Sequence, residues 1–413
     1  MNDRARQSIL EREKELFIGI IKWIFYASCI GIIIGISSGA FIRALEWSIS
    51  FVGDHAYYFF LLPIALFLSE LIVKHLAPEA RGHGTEKVIE AVHLRYGKMN
   101  FMVVPVKAIA TIITIAFGGS AGKEGPCAQI GAGLSSLIAD IFKMNDEDRR
   151  KLVICGISAG FSAVFGTPIA GSIFGIEVIY VGSILYEMML ASFIAGIVSF
   201  QTASLVGVKY AYHYTNIVLD FNQTLFLAAI VSGIAFGACS LLTIEVMGYS
   251  KKISQRINVS SPVKGLIGGA VLVALALAFS SQYLGLSIGL IERSLEGSPI
   301  DPYAFLAKIV FTSITLSFGG SGGVITPIFV IGSTAGAFFA RVLGLSVPAF
   351  AAIGLVSVLA GTTKTPIASS IMAIELFGPY IGPYAAIACI ISFIVSGPST
   401  VYPSQVFSLK KFV

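Results

Sequence analysis

The chain has 413 residues, of which 55% are hydrophobic and only 12% are charged. Soluble domains carry about 25% charged residues, so this composition excludes a water-soluble protein. The formal net charge of +5 reflects a local basic bias and predicts no nucleic-acid partner.

Several apolar segments approach or exceed the ~20 residues that a helix needs to cross a bilayer. They are residues 17–40, 57–77, 186–207, 224–247 and 265–285. The sequence therefore predicts an all-α, polytopic membrane protein.

Charged residues indicate how the chain is oriented. Residues 1–16 mix basic and acidic side chains and lack a cleavage site, which predicts a cytosolic N-terminal arm rather than a signal peptide. Further basic residues are Lys251, Lys252, Arg256, Lys264, Lys410 and Lys411. By the positive-inside rule, these segments and both termini are expected in the cytoplasm of a multi-pass protein.

The chain also contains an internal repeat. The segment FGGSAGKEGP at 117–126 matches FGGSGGVITP at 318–327, and Lys107 then aligns with Lys308. A second pair, 156–178 and 354–376, shares TPIA and an IE dipeptide. Small residues recur in all membrane helices, but that does not explain matched blocks in the same order. We predict two membrane repeats, 17–205 and 222–400, with broken helices and a transport site between them.

The glycine-rich breaks predict a site for an anion. Glycines cannot sustain a helix, and Pro126 suits a helix start, so a helix is expected to begin near 123–126. Backbone N–H groups at such a start lack partners and carry the positive end of the helix dipole. Two such starts that face one point would hold a small dehydrated anion.

Glu124 is the one acidic residue in either break. Its carboxylate is itself an anion, so it can occupy the site and leave it when protonated. The alternative is an acid that only stabilises a helix start. We favour a gate, because ionisable residues at membrane depth are usually functional.

These residues resemble the CLC family of chloride channels and proton-coupled chloride transporters. The family motif G-[KR]-E-G-P stands at 122–126, and G-x-F-x-P corresponds to GVITP at 323–327. The element GSGIPE is similar to GHGTEK at 82–87, and Tyr402 matches the pore tyrosine. The resemblance runs from about residue 30 to 408.

The resemblance implies a homodimer in a prokaryotic plasma membrane, with one chloride pathway per subunit and no cofactor. Glu124 would be the gate, and residues 401–413 would form a C-terminal pore helix and tail. The implied anion-binding residues are His83, Gly84, Lys123, Glu124, Gly125, Val324, Ile325 and Tyr402.

Three positions depart from the family pattern. His83 replaces a serine that contacts the ion, so the anion could be nitrate, fluoride or bicarbonate, and an imidazole could change charge between pH 5 and 8. Glu86 replaces a proline, which predicts a looser helix start. Val178 stands where proton-coupled members carry an acid, so proton coupling is doubtful and a proton-coupled exchanger is the alternative. Glu177 is expected to be structural, because Glu375 repeats it.

An intramembrane serine hydrolase is the alternative from another class. The pattern G-x-S-x-G occurs at 118–122, 156–160 and 319–323, and His83 or His93 could act as a base. The pattern requires a strand–turn–helix, whereas these segments are apolar and helical. We therefore predict an anion pathway and no enzyme.

Overall fold

The structure, a computed structural model, describes residues 3–55, 57–210, 217 and 222–408. Sixteen α-helices lie in these residues. The first eight are α1 Asp3–Gly53, α2 Leu62–Leu76, α3 Thr85–Leu94, α4 Val103–Ala116, α5 Glu124–Ile141, α6 Asp146–Phe165, α7 Pro168–Glu177 and α8 Met189–Leu205. The others are α9 Gln223–Arg256, α10 Ser261–Ala278, α11 Ile288–Leu295, α12 Ala304–Ser317, α13 Ile325–Leu343, α14 Val347–Thr363, α15 Pro366–Phe377 and α16 Gly382–Val395.

The second half repeats the first, helix for helix. In the first half α1 packs against α6 and α8, and in the second half α9 packs against α14 and α16. The helix pairs α5–α6 and α13–α14 also correspond. The predicted all-α fold with two repeated halves is confirmed.

Hydrogen bonds between the halves are reciprocal. The Gly122 N–H donates to the Gly323 carbonyl over 2.7 Å, and the Gly323 N–H donates to the Gly122 carbonyl over 2.6 Å. The Ser120 N–H donates to the Thr315 hydroxyl, and the Ser321 N–H donates to the Thr114 hydroxyl, both over 3.0 Å. Because each contact has a counterpart with the two halves exchanged, the halves are related by a pseudo-two-fold axis through the two breaks.

Glu177 and Glu375 belong to the same pattern. The Glu177 carboxylate accepts the N–H groups of Ile367 and Ala368 at the start of α15. Glu375 accepts those of Ile169 and Ala170 at the start of α7. Each acid satisfies N–H groups that have no intrahelical partner. The expected structural role of Glu177 is confirmed.

The glycine-rich segments break the helices where the sequence predicts. Gly118 has φ 101° and Gly319 has φ 108°, a region in which a side chain would be strained. After these turns α5 begins at Glu124 and α13 begins at Ile325. The predicted helix start near 123–126 is confirmed.

Six helices in the described part of the chain are long and apolar enough to cross a membrane: 17–53, 58–76, 186–205, 223–256, 261–278 and 325–343. Five overlap the predicted segments. The sixth, α13, was not predicted as a span because its apolar run begins inside the glycine-rich break. The exposed outer faces carry large apolar side chains such as Phe25, Leu205 and Leu227, as lipid contact requires.

The ends of the chain differ from the predicted division. The arm at 1–16 is not a separate unit, because α1 runs without a break from Asp3 to Gly53. The predicted C-terminal pore helix is wrong for residues 401–408, which form turns and a strand, β2 (Val406–Phe407). This strand pairs in parallel with β1 (Tyr180–Val181). Lys410 and Lys411 lie outside the described residues.

Candidate anion-binding site

The backbone starts of three helices meet between the two halves. A Cβ atom on Gly125 would lie 2.1 Å from the His83 carbonyl oxygen and 3.0 Å from Gly323 Cα. A Cβ on Gly84 would lie 2.5 Å from the Gly125 carbonyl oxygen. The chain before α3, the start of α5 and the break before α13 are therefore in direct backbone contact. Helix N-termini carry N–H groups without intrahelical partners, so this junction suits an anion.

Glu124 already places an anionic group at this junction. It is the first residue of α5 and is only 2% exposed. Its carboxylate accepts the Thr326 N–H over 3.0 Å and also accepts the Thr326 hydroxyl. Thr326 lies in the first turn of α13, so the acid of one half is bound by the helix start of the other.

Val324 caps the start of α13 and Ile325 is its first residue, and both are buried beside this contact. Thr326 was not predicted from the sequence. A signal was present, because Thr326 aligns with Gly125 in the repeat and is a polar residue in an apolar break.

A second group of polar atoms lies around the start of α3. The Tyr402 hydroxyl, the Thr85 hydroxyl and the His83 Nδ1 atom are buried and have no hydrogen-bond partner among the described residues. The side chains of Thr85 and Tyr402 are close enough to interact. Buried polar atoms are nearly always hydrogen-bonded, so polar atoms with unused hydrogen-bonding capacity at this junction indicate a place for a ligand or water. Thr85 was not predicted.

A cavity of about 580 Å³ leads to this group from one side. Its lining includes His83 and Val401, next to Tyr402. The lining also carries four cations and two acids, namely Arg81, Lys87, Lys251, Lys264, Glu70 and Glu86. A cleft with excess positive charge raises the local concentration of anions.

Lys107 and Lys308 hold the loops that precede α3 and α11. The Lys107 ammonium donates to the carbonyls of Ala80 and Gly82 over 3.2 and 2.6 Å. The Lys308 ammonium donates to Tyr283 and Gly285 over 3.1 and 2.8 Å. Both lysines are fully buried. Lys107 thereby fixes the loop that carries His83.

Two of the predicted site residues have other partners. The Lys123 ammonium lies 3.5 Å from the Glu46 carboxylate of α1, so its charge is paired there. Val178 ends α7, and its carbonyl accepts the Gln405 side-chain amide over 2.8 Å. Valine carries no proton, so this position offers no relay.

The loop residue His83 precedes α3 and lies outside the six candidate spans. Burial, then the charges of Lys107 and Lys251, lower the pKa of His83 to about 3. The expected change of charge between pH 5 and 8 is therefore wrong. The neutral imidazole still has one N–H to donate.

This leads to a prediction for the His83→Ser variant. We expect a change in the relative rates for different anions, because the donor at the site changes. We expect no change in the pH dependence of transport between pH 5 and 8, since the imidazole is neutral throughout. Initial rates of transport in liposomes, measured for different anions and at several pH values, test both expectations. A pH profile that flattens in His83→Ser would contradict the neutral state.

The structure does not pair Ser120 with His93 as the hydrolase alternative would require. The Ser120 hydroxyl lies 2.9 Å from the Thr312 hydroxyl, whereas His93 Nε2 contacts the Ile179 carbonyl. Among the described residues, Ser120 and His93 therefore do not form the nucleophile–base pair that a hydrolase needs.

Comparison with known proteins finds a matching family, similar sequences and a similar solved structure. The sequence pattern of the family described as voltage gated chloride channel matches residues 64–397. The chloride/fluoride channel protein of Pseudomonas syringae pv. tomato is 35% identical over 393 residues, covering 94% of this chain and 86% of the relative. The H(+)/Cl(-) exchange transporter ClcA of Salmonella agona is 27% identical, covering 86% of this chain and 81% of the relative. The crystal structure of a CLC-type fluoride/proton antiporter superposes with a TM-score of 0.90 at 28% identity, covering 95% of this chain and 99% of that one.

Proposed function

The chain belongs to the CLC family of voltage gated chloride channels, whose members transport anions. We propose that it carries fluoride in preference to chloride and that Glu124 controls the transport. The contact between Glu124 and Thr326 carries the proposal. The carboxylate occupies the N-terminus of α13, where a permeating anion would bind. Protonation removes its charge and frees the site.

The preference for fluoride rests on the donors around the start of α3. The Thr85 and Tyr402 hydroxyls lie close to each other, so one of them can donate to the other and the second to an anion. His83 Nδ1 is buried without a partner among the described residues and donates to an anion in the tautomer that carries the proton there. Fluoride is small and a strong hydrogen-bond acceptor, so it needs such donors to replace its hydration shell. The names of the relatives point the same way, since one includes fluoride and a solved structure is a fluoride/proton antiporter. Chloride is the second candidate, supported by the Salmonella relative.

Proton coupling is proposed to depend on Glu124 alone. Val178 is buried and not acidic, so it cannot pass a proton to the gate. The cavity of about 580 Å³ is large enough to hold water, which could deliver protons instead. The antiporter names of relatives favour this route over uncoupled conduction.

The assembly and location are also proposals. The family resemblance favours a homodimer with one pathway per subunit. The cluster Lys251, Lys252, Arg256 and Lys264 lies where α9 ends and α10 begins. By the positive-inside rule, we propose that this basic cluster, the cavity and both termini lie on the cytoplasmic side of a plasma membrane.

A liposome assay tests the proposal. Purified protein is reconstituted with internal fluoride or chloride, and ion-selective electrodes record each anion together with external pH. We expect fluoride efflux to exceed chloride efflux by roughly tenfold, which corresponds to about 1.4 kcal/mol of discrimination. We also expect proton uptake against a pH gradient. Equal or faster chloride efflux would support the chloride alternative, and an absence of proton movement would support uncoupled conduction.

A further inference from the structure

We infer that Glu86 is a positioning residue that holds the Tyr402 hydroxyl in the anion site through Ser404. The inference rests on the proposed function, because it assigns a role to the residues around that site. It concerns the position at which this chain carries an acid where the family motif has a proline.

The contact joins two parts of the chain that are remote in sequence. The Ser404 N–H donates to the Glu86 carboxylate over 3.1 and 3.3 Å, and the Ser404 hydroxyl donates to the same carboxylate over 2.6 Å. Hydrogen bonds to an ionised acceptor are about twice as strong as neutral ones. Ser404 is two residues past Tyr402, so the bond acts almost directly on the tyrosine.

The other end of the contact lies at the start of α3. Glu86 is in the first turn of this helix, directly after Thr85 and three residues after His83. The contact therefore sets the distance between two groups of donors, one before α3 and one at Tyr402. The expectation that Glu86 loosens the helix start is replaced by this role, because an acid suits the first turn of a helix.

The remaining anchors of this segment lie on other helices. The Val401 N–H donates to the Thr362 carbonyl over 3.0 Å, and the Gln405 side chain donates to Thr363 and Val178 over 2.8 Å each. Strand β2 adds the pairing with β1. These contacts fix the segment to α14 and to the end of α7, and Glu86 fixes it to α3. Loss of the carboxylate should move Tyr402 relative to α3 and leave the segment bound elsewhere.

A direct test follows the tyrosine itself. 3-Fluorotyrosine is placed at position 402 of the full chain in detergent or nanodiscs, and its ¹⁹F resonance is recorded. We expect the resonance to shift or split in Glu86→Ala. We expect the same in Glu86→Pro, because proline is tolerated in the first turn of a helix but has no carboxylate. Glu86→Gln retains an acceptor oxygen and should restore a single resonance near the wild-type position. Glu90→Gln is the matched control, since Glu90 is on the same helix and pairs with Lys87 over 2.7 Å.

A second measurement separates positioning from general damage. In liposomes we expect Glu86→Ala to raise the anion concentration for half-maximal flux by about tenfold, with a smaller change in maximal rate. In the Tyr402→Phe background the same substitution should have no further effect, because the hydroxyl that it positions is gone.

Two results would overturn the inference. One is an unchanged ¹⁹F resonance in Glu86→Ala, and the other is an equal effect of Glu86→Ala with and without the Tyr402 hydroxyl. The resonance does not depend on transport, so a wild-type protein that moves no anion would defeat the proposed function and leave the ¹⁹F result to decide the role of Glu86.

Discussion

Glu124→Gln is expected to give an anion flux that no longer depends on external pH. In the wild type the negative charge of the carboxylate holds it at the start of α13, so the proposed gate makes the flux depend on external pH. Glutamine is neutral at every pH, so the flux should be high and flat. A hydrogen bond to a charged group contributes about 1.5–3 kcal/mol, so flux at pH 7.5 should rise by about tenfold or more.

The measurement is anion efflux from liposomes between pH 5 and 7.5, with pH recorded at the same time. Proton movement should also stop in Glu124→Gln, because the glutamine amide does not bind and release a proton between pH 5 and 7.5. Glu46→Gln is the control, since Glu46 is 43% exposed, lies next to the same break and pairs with Lys123. A pH dependence that survives in Glu124→Gln would rule out the gate.

The repeat explains why so much of the fold and the position of Glu124 at a helix start could be predicted from the sequence. The matched breaks and the matched Glu177 and Glu375 are local patterns, and they correspond to reciprocal contacts in the structure. Because the two halves are similar, an interpretation of one copy of a motif also constrains the interpretation of the other copy. Glu124 could be identified because it is the one acid in either break.

The missed features depend on contacts between distant segments. Thr326 binds Glu124 across 202 residues, and Ser404 binds Glu86 across 318 residues. No local pattern encodes which hydroxyl faces which acid. The predicted pore helix after residue 400 failed for the same reason, because pairing with β1 and bonds to α14 fix residues 401–408 as turns and a strand. The neutral state of His83 likewise follows from burial and from Lys107, which is distant in sequence.

Gly125→Ala is expected to abolish most transport while the protein still inserts and assembles. The new Cβ would lie 2.1 Å from the His83 carbonyl oxygen, and that neighbour is backbone and cannot rotate away. The start of α5 must then move from α3 and from Gly323, which separates the groups that surround the anion. Overpacking costs about 1–3 kcal/mol, and a barrier higher by 1.4 kcal/mol slows a step about tenfold, so flux should fall at least tenfold.

Gly248→Ala is the matched control for this variant. Gly248 lies within α9 and lines the cavity that His83 also lines, but a Cβ there would meet no atom within 4 Å. Alanine also favours the helix by about 1 kcal/mol over glycine, so Gly248→Ala should transport normally. Initial rates of both variants in liposomes, at equal protein content and with gel filtration as a check of folding, decide the question. Because the control adds the same methyl group where there is room for it, full activity in Gly125→Ala would mean that close backbone contact at the start of α5 is not needed to hold the anion.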